Sequence, residues 1–320
     1  MFPGYTPTPL QALAWAGLPM NDADRLVLIE SDTGSGKTEA ALSWFARLYA
    51  AGEVDGLYFA LPTRVAAREL YERVRTAVER GWPDAGTRPG PVLLAAPGYV
   101  KIDGERPLLP DPESHLWEDD EAARRAERQW ASSHPKRFLA APVAVGTIDQ
   151  ALLSVLAIKH SLLRSVCLDR HLLVVDEVHA SDPYMSELLH AVLSGHLRRG
   201  GRAMLLSATL GEASGCRFFG RPMAPLSEAI ERDYPCAQTH GGVISVPSVG
   251  EPKRVEVRMT DGLDDASLVQ PITEALRQGA RILVVCNTVA RANAMLRAVE
   301  ASGAVAADAL FSVGGVVCPH

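Results

Sequence analysis

Paired cysteines are missing from this chain. Its five (Cys167, Cys216, Cys236, Cys286, Cys318) are scattered over 320 residues without a C-x-x-C spacing, which excludes a zinc ribbon and a disulfide framework. A reducing, cytoplasmic setting is the expectation. No apolar run reaches the length of a membrane span, so no membrane partner is expected. The opening "MFPGYTPTPLQ" has neither the basic region nor the apolar core of a signal peptide. Positive charge is scarce: 32 Lys and Arg against 38 Asp and Glu leave a net charge of −6. That excludes a uniformly basic coat for nucleic acid, but a local basic groove would suffice. The small clusters "RRAER" (124–128) and "LRRGGR" (197–202) read as solvated helix faces.

What is present alternates. "RLVLIE" (25–30), "GLYFALPT" (56–63), "PVLLAA" (91–96), "APVAVGT" (141–147), "HLLVVDE" (171–177) and "RAMLLSAT" (202–209) read as short apolar strands. Helical spacing separates most of them; Ala67, Leu70, Tyr71, Val74 and Val78 mark one such helix, and 148–159 another. Pro183 suits a first helical position, with Asp182 as its cap. The pattern predicts an α/β fold with a parallel sheet covered on both faces. Residues 1–212 form a first domain on this reading. Residues 213–253, rich in Pro, Gly and polar residues, read as a linker. "RVEVRM" (254–259) and "RILVVC" (281–286) open a short second α/β domain over 254–320.

Two stretches carry chemistry. "SDTGSGKTEAAL" (31–42) follows a strand and opens a helix, the setting a phosphate loop requires. Gly34 and Gly36 let the backbone turn tightly, so that successive N–H groups, Thr33 and Ser35 included, face an anion. Lys37 reaches the β- and γ-phosphates of ATP and the Thr38 hydroxyl binds Mg²⁺. One departure stands out: the pattern begins with Gly or Ala, and this chain has Ser31, a small residue expected to be tolerated. The second stretch is "LLVVDEVHASDPYM" (172–185), an apolar run ending in Asp176 and Glu177. Burying unpaired carboxylates is costly, so the pair belongs at the strand's mouth, facing ligand. Asp176 is the expected partner of Mg²⁺ and Glu177 the group that orients and activates the attacking water. His179 has no second zinc ligand nearby at zinc spacing and reads as a coupling residue facing the second domain.

"TGSGKT" (33–38), "DEVH" (176–179) and "SAT" (207–209), in that order, resemble the motifs of superfamily 2 helicases. The resemblance implies two RecA-like domains clasping ATP. "YTPTPLQ" (5–11) is similar to the upstream element that reads adenine, with Gln11 on the adenine edge and Tyr5 or Phe2 stacking on the ring. "ALPTRVAA" (60–67) resembles the motif that holds a nucleic-acid strand, which places Thr63 and Arg64 on phosphates. A narrower likeness follows. "VGTIDQALLSVLAIKHSLLR" (145–164), "VVDEVHASDPYM" (174–185), "LLSATL" (205–210) and "VVCNTVARA" (284–292) resemble the CRISPR-associated helicase–nucleases of type I systems. That family implies recruitment to an RNA-guided surveillance complex and movement along single-stranded DNA. Thr147 would be a strand contact, while Ser207 and Thr209 would couple hydrolysis to domain movement.

Two features of the family are not visible. Its nuclease domain needs a His-Asp pair, and none of the nine histidines is followed by Asp; a separate nuclease chain is one expected partner. Its second domain supplies arginines to the γ-phosphate, and the chain reaches "GGVVCPH" (314–320) without such a motif. The expectation is a second RecA-like domain interrupted by truncation or by a split gene. Two alternatives stay open: another superfamily 2 RNA or DNA helicase, and a module that binds ATP and DNA without turnover on its own.

Overall fold

The structure, a computed structural model, describes residues 6–84, 86–96, 100–104, 135–178, 183–248, 255–256, 265–303, 312–313 and 316–317. Nine strands form one sheet: β1 (Leu26–Glu30), β2 (Gly56–Leu61), β3 (Val92–Ala95), β4 (Lys101–Ile102), β5 (Val143–Thr147), β6 (His171–Val175), β7 (Arg202–Ser207), β8 (Cys236–Thr239) and β9 (Gly242–Ser245). Their spatial order is β4-β3-β5-β2-β6-β7-β1-β8-β9. The strands from β3 to β1 in that order are parallel. Antiparallel β4 flanks one side and the β8–β9 hairpin the other.

Alternation along each strand builds two apolar layers. Val27, Ile29, Leu57, Phe59, Leu172, Val174, Met204 and Leu206 face one way. There they meet α1 (Pro9–Ala12), α2 (Lys37–Ala50) and α3 (Arg64–Gly81), which contribute Trp44, Phe45, Tyr71 and Val74. Leu26, Leu28, Tyr58, Ala60, Leu173, Val175, Ala203 and Leu205 face the other way. They are covered by a 3₁₀ turn at Pro135–Ala140, α4 (Ile148–Leu152), α5 (Ser161–Leu168) and α6 (Pro183–Arg198). Burial on both faces is why these strands read as continuous apolar runs. Each large side chain among them stabilises the fold by roughly 1.5–3 kcal/mol.

The helix expected over 148–159 stops at Leu152. Ser154 Oγ donates back to the Ala151 carbonyl at 2.6 Å, a local bond that competes with the helical ladder. A separate helix, α5, follows. The expected cap Asp182 lies outside the described residues, while α6 does begin at Pro183.

The stretch read as a linker is largely folded. It holds most of α7 (Glu212–Phe219), then α8 (Leu226–Ile230) and the β8–β9 hairpin, and β8 pairs with β1 across Leu28↔Gln238 to Glu30↔Cys236. The first compact unit therefore runs to Gly250. The elements here are only four to eight residues long, too short to show a period between the Pro and Gly positions that dominate the composition.

The second unit comprises residues 251–320. It contains α9 (Asp265–Arg277), α10 (Val289–Ala301) and a short hairpin of β10 (Ser312–Val313) and β11 (Val316–Val317). "RILVVC" is not a strand, contrary to expectation: none of the described strands pairs with it, and Leu283 and Val285 are more than four-fifths exposed. A strand needs a hydrogen-bonded neighbour, and apolar composition alone does not supply one. "RVEVRM" lies mostly outside the described residues.

Candidate nucleotide-binding site

Parallel strands carry ligands at their carboxyl ends, and the candidate residues gather there. β1 runs into residues 31–36, which turn back to open α2 at Lys37. Gly34 and Gly36 have φ of 82° and 90°, a left-handed backbone that glycine adopts without strain. A Cβ at Gly36 would also lie 2.3 Å from Gln11 Nε2, so a side chain there would displace the Gln11 amide. Ser31 is buried in the first position of the loop, its N–H donating to the Ser207 carbonyl at 3.1 Å.

Lys37 is 9% exposed. Its ammonium donates to the carbonyls of Ser31 (2.7 Å) and Asp32 (2.9 Å), bridging the mouth of the loop. Burial pushes its pKa below the ordinary lysine value, while Asp176, Glu177 and Asp32 pull it back up. Asp32 belongs to the loop itself, whereas Asp176 and Glu177 come from the chain beyond β6, where the Asp176 N–H donates to the Ala60 carbonyl at 2.9 Å and Asp176 Oδ1 accepts from the Glu177 N–H at 3.0 Å. Glu177 has φ 54°, a left-handed conformation unusual for a residue with a side chain. Strain of this kind clusters at functional sites. It turns the chain sharply as the strand ends.

A cleft of about 530 Å³ collects Gln11, Thr33, Gly34, Gly36, Lys37, Thr38, Asp176 and Glu177. Ser35 belongs to the same loop without lining the cleft, and its buried hydroxyl has no hydrogen-bond partner. Gln11 is held by a capping box: its N–H donates to Thr8 Oγ1 and its Oε1 accepts from the Thr8 N–H at 2.9 Å. Thr8 in turn donates to the Ser35 carbonyl at 3.3 Å, tying the short α1 to the loop.

Four lining residues escaped the reading of the sequence: Thr8, Glu39, Arg73 and Arg80. Thr8 and Gln11 form a T-x-x-Q capping signature that was legible. Arg73 and Arg80 stand seven apart on α3, one helical face, and that spacing was their signal. Arg73 pairs with Glu39 at 2.5 Å. Among the lining residues Lys37, Arg73 and Arg80 offset Glu39, Asp176 and Glu177. Without α3's arginines the lining would be net acidic and would repel a polyphosphate.

Other expected residues stand at neighbouring strand ends rather than in the cleft. Thr147 pairs in register with Leu61, two residues before Thr63. Thr63 caps α3, its Oγ1 accepting from the Ala66 N–H at 3.1 Å, and Arg64 beside it is exposed. Thr147 is buried, its carbonyl accepting from the Tyr58 hydroxyl at 2.8 Å. Ser207 pairs in register with Glu30, so the "SAT" strand lies beside the phosphate-loop strand. Ser207 Oγ accepts from the Thr209 N–H at 3.2 Å. His179, Tyr5 and Phe2 lie outside the described residues. Among the described residues no three His, Cys, Asp or Glu side chains form a metal cluster. No described helix is long and apolar enough to cross a membrane.

No family model matches the chain. Among curated proteins it is 30% identical over 310 residues to the CRISPR-associated endonuclease/helicase Cas3 of Escherichia coli (strain K12), covering 89% of this chain and 32% of that protein. It is 33% identical over 288 residues to the CRISPR-associated endonuclease/helicase Cas3 of Thermus thermophilus, covering 85% and 29%. Among solved structures, T. fusca Cas3 with ATP superposes with a TM-score of 0.68 at 28% identity, covering 93% of this chain and 34% of that one. A chain in a CRISPR RNA-guided surveillance complex, pre-nicking, gives a TM-score of 0.60 at 26% identity, covering 93% and 32%. The chain thus spans about a third of the length of the curated relatives it matches. Sequence and fold agree: this chain is a relative of the Cas3 helicase–nucleases and matches their RecA-like helicase region.

Proposed function

We propose that the chain binds ATP with Mg²⁺ in this cleft and hydrolyses it to drive movement along single-stranded DNA in type I CRISPR interference. The observation that carries the reading is the convergence of Lys37, Thr38, Asp176 and Glu177 on one cleft at the carboxyl ends of parallel strands. Lys37 holds the β- and γ-phosphates, exchanging a loop carbonyl for a phosphate oxygen. Thr38 and Asp176 offer the hard oxygen donors that Mg²⁺ takes, one or two from protein with the rest from phosphates and water. Bound there, Mg²⁺ would supply positive charge to the phosphate oxygens. Glu177 accepts a proton from the water that attacks the γ-phosphorus. Gln11 reads the adenine edge. Thr63, Arg64 and Thr147 line the path of the DNA strand, and His179, Ser207 and Thr209 relay the state of the site. The likeness to a chain in a surveillance complex supports an RNA-guided complex as the recruiting partner. No His-Asp pair occurs in the 320 residues, and strand cutting is assigned to none of them.

ATP turnover by the chain, with and without single-stranded DNA or RNA, tests this. The reading predicts stimulation by DNA over RNA and loss of turnover in Lys37→Ala. Stimulation by RNA alone would favour a different superfamily 2 enzyme. Turnover that survives Lys37→Ala would contradict the site.

A further inference from the structure

The segment that the sequence disguised as a linker reaches the phosphate loop. Tyr234, just ahead of β8, places its hydroxyl 3.2 Å from Asp32 Oδ1 of the phosphate loop and 3.1 Å from the Ala208 carbonyl of the "SAT" stretch. One O–H hydrogen is shared between an acceptor on each motif. Two further bonds converge nearby. The Glu30 carboxylate, at the last position of β1, accepts from the Leu210 N–H at 3.0 Å and from Gln238 Nε2 on β8 at 2.7 Å. Strand β8 is thereby fixed beside β1, and Tyr234 is held where it spans both loops. Burial and the Asp32 charge push the Tyr234 phenol up to about 12, so the bridging hydroxyl keeps its proton at neutral pH.

We infer that Tyr234 is a positioning residue that transmits the state of the phosphate loop to residues 208–210. The inference rests on the nucleotide reading above. Asp32 is adjacent to Thr33 and its carbonyl holds Lys37. A ligand that draws Lys37 away from that carbonyl moves Asp32, and Asp32 carries the Tyr234 hydroxyl with it. The Ala208 carbonyl then gains or loses its donor. Ser207 and Thr209, the residues expected to couple hydrolysis to movement, flank that carbonyl. The Ser31 N–H on the Ser207 carbonyl and the Leu210 N–H on the Glu30 carboxylate also join these stretches, and neither uses a side chain of residues 31–38.

Amide hydrogen exchange with and without the non-hydrolysable analogue AMPPNP and Mg²⁺ tests this in the wild type and in Tyr234→Phe. In the wild type the analogue slows exchange over 33–38 and over 208–210. In Tyr234→Phe, slowing persists over 33–38 and is lost over 208–210. Tyr234 is 47% exposed, so removing one oxygen leaves the melting temperature within a few degrees, and a purely structural role would not separate the two segments. Equal slowing of 208–210 in both proteins overturns the inference, as does a wild type that responds only over 33–38. A wild type that responds over neither segment refutes the nucleotide reading instead.

Discussion

Glu177 concentrates the chemistry of the site in one backbone angle. A left-handed residue with a side chain is unfavourable by roughly 1–3 kcal/mol, and Glu177, at φ 54°, turns the chain two residues past the end of β6. The placement is needed to bring a carboxylate near Lys37 without burying it in the sheet. The role of proton acceptor proposed for it gives a sharp expectation for Glu177→Gln. The amide is isosteric and leaves the strand end unchanged, so ATP affinity stays near wild type. Turnover falls by about 10²–10⁴, the range for a lost general base. Steady-state kinetics with a separate binding titration checks both halves; a variant with unchanged turnover would remove Glu177 from the mechanism. At this scale the sequence was informative where residue identity and motif point to one place, as at Lys37 and Asp176, which line the same cleft. It was silent where tertiary contact does, as at Tyr234.

At the scale of elements, α6 and β7 are joined by a buried histidine. His196 is 1% exposed, with Nε2 3.0 Å from the Arg202 carbonyl and Nδ1 without a partner. Nε2 therefore carries the proton, and a second proton on Nδ1 would be a buried, unpaired cation. The packing is close: a Cβ at Gly201 would lie 2.3 Å from the ring. Burial pushes the His196 pKa from 6.5 to about 4, and burial lowers that of His171 as well. The unfolded chain takes up protons as pH falls through the ordinary histidine value, and the folded chain does not. Stability is thus complete above about pH 6.5 and declines toward pH 4, by on the order of 3 kcal/mol from His196. Denaturant unfolding at pH 7.5 and pH 5 should show the decline, and His196→Asn should reduce it. An unchanged pH slope in that variant would contradict the assignment. The parallel strands were legible because double-sided burial makes them uniformly apolar. β8, with the polar Gln238 and Thr239 buried beside Cys236 and Ala237, gave no such signal and was hidden in the supposed linker.

For the whole molecule, the first unit carries the phosphate loop, Asp176 with Glu177 and the "SAT" stretch together, at the carboxyl ends of β1, β6 and β7. The second unit is described by two helices and a short hairpin, and its most strand-like sequence, "RILVVC", has no described partner strand. Motif order made the family legible even where the second domain's elements were misread, because motifs are local and strand pairing is not. The central claim is that residues 31–38 with Asp176 and Glu177 form a nucleoside-triphosphate site in this chain. Calorimetric titration of ATP with Mg²⁺ into the wild type and Lys37→Ala tests it most directly. The account predicts a single site in the wild type and loss of binding in Lys37→Ala. Equal ATP affinity in the two proteins, or no binding to a folded wild type, would contradict it.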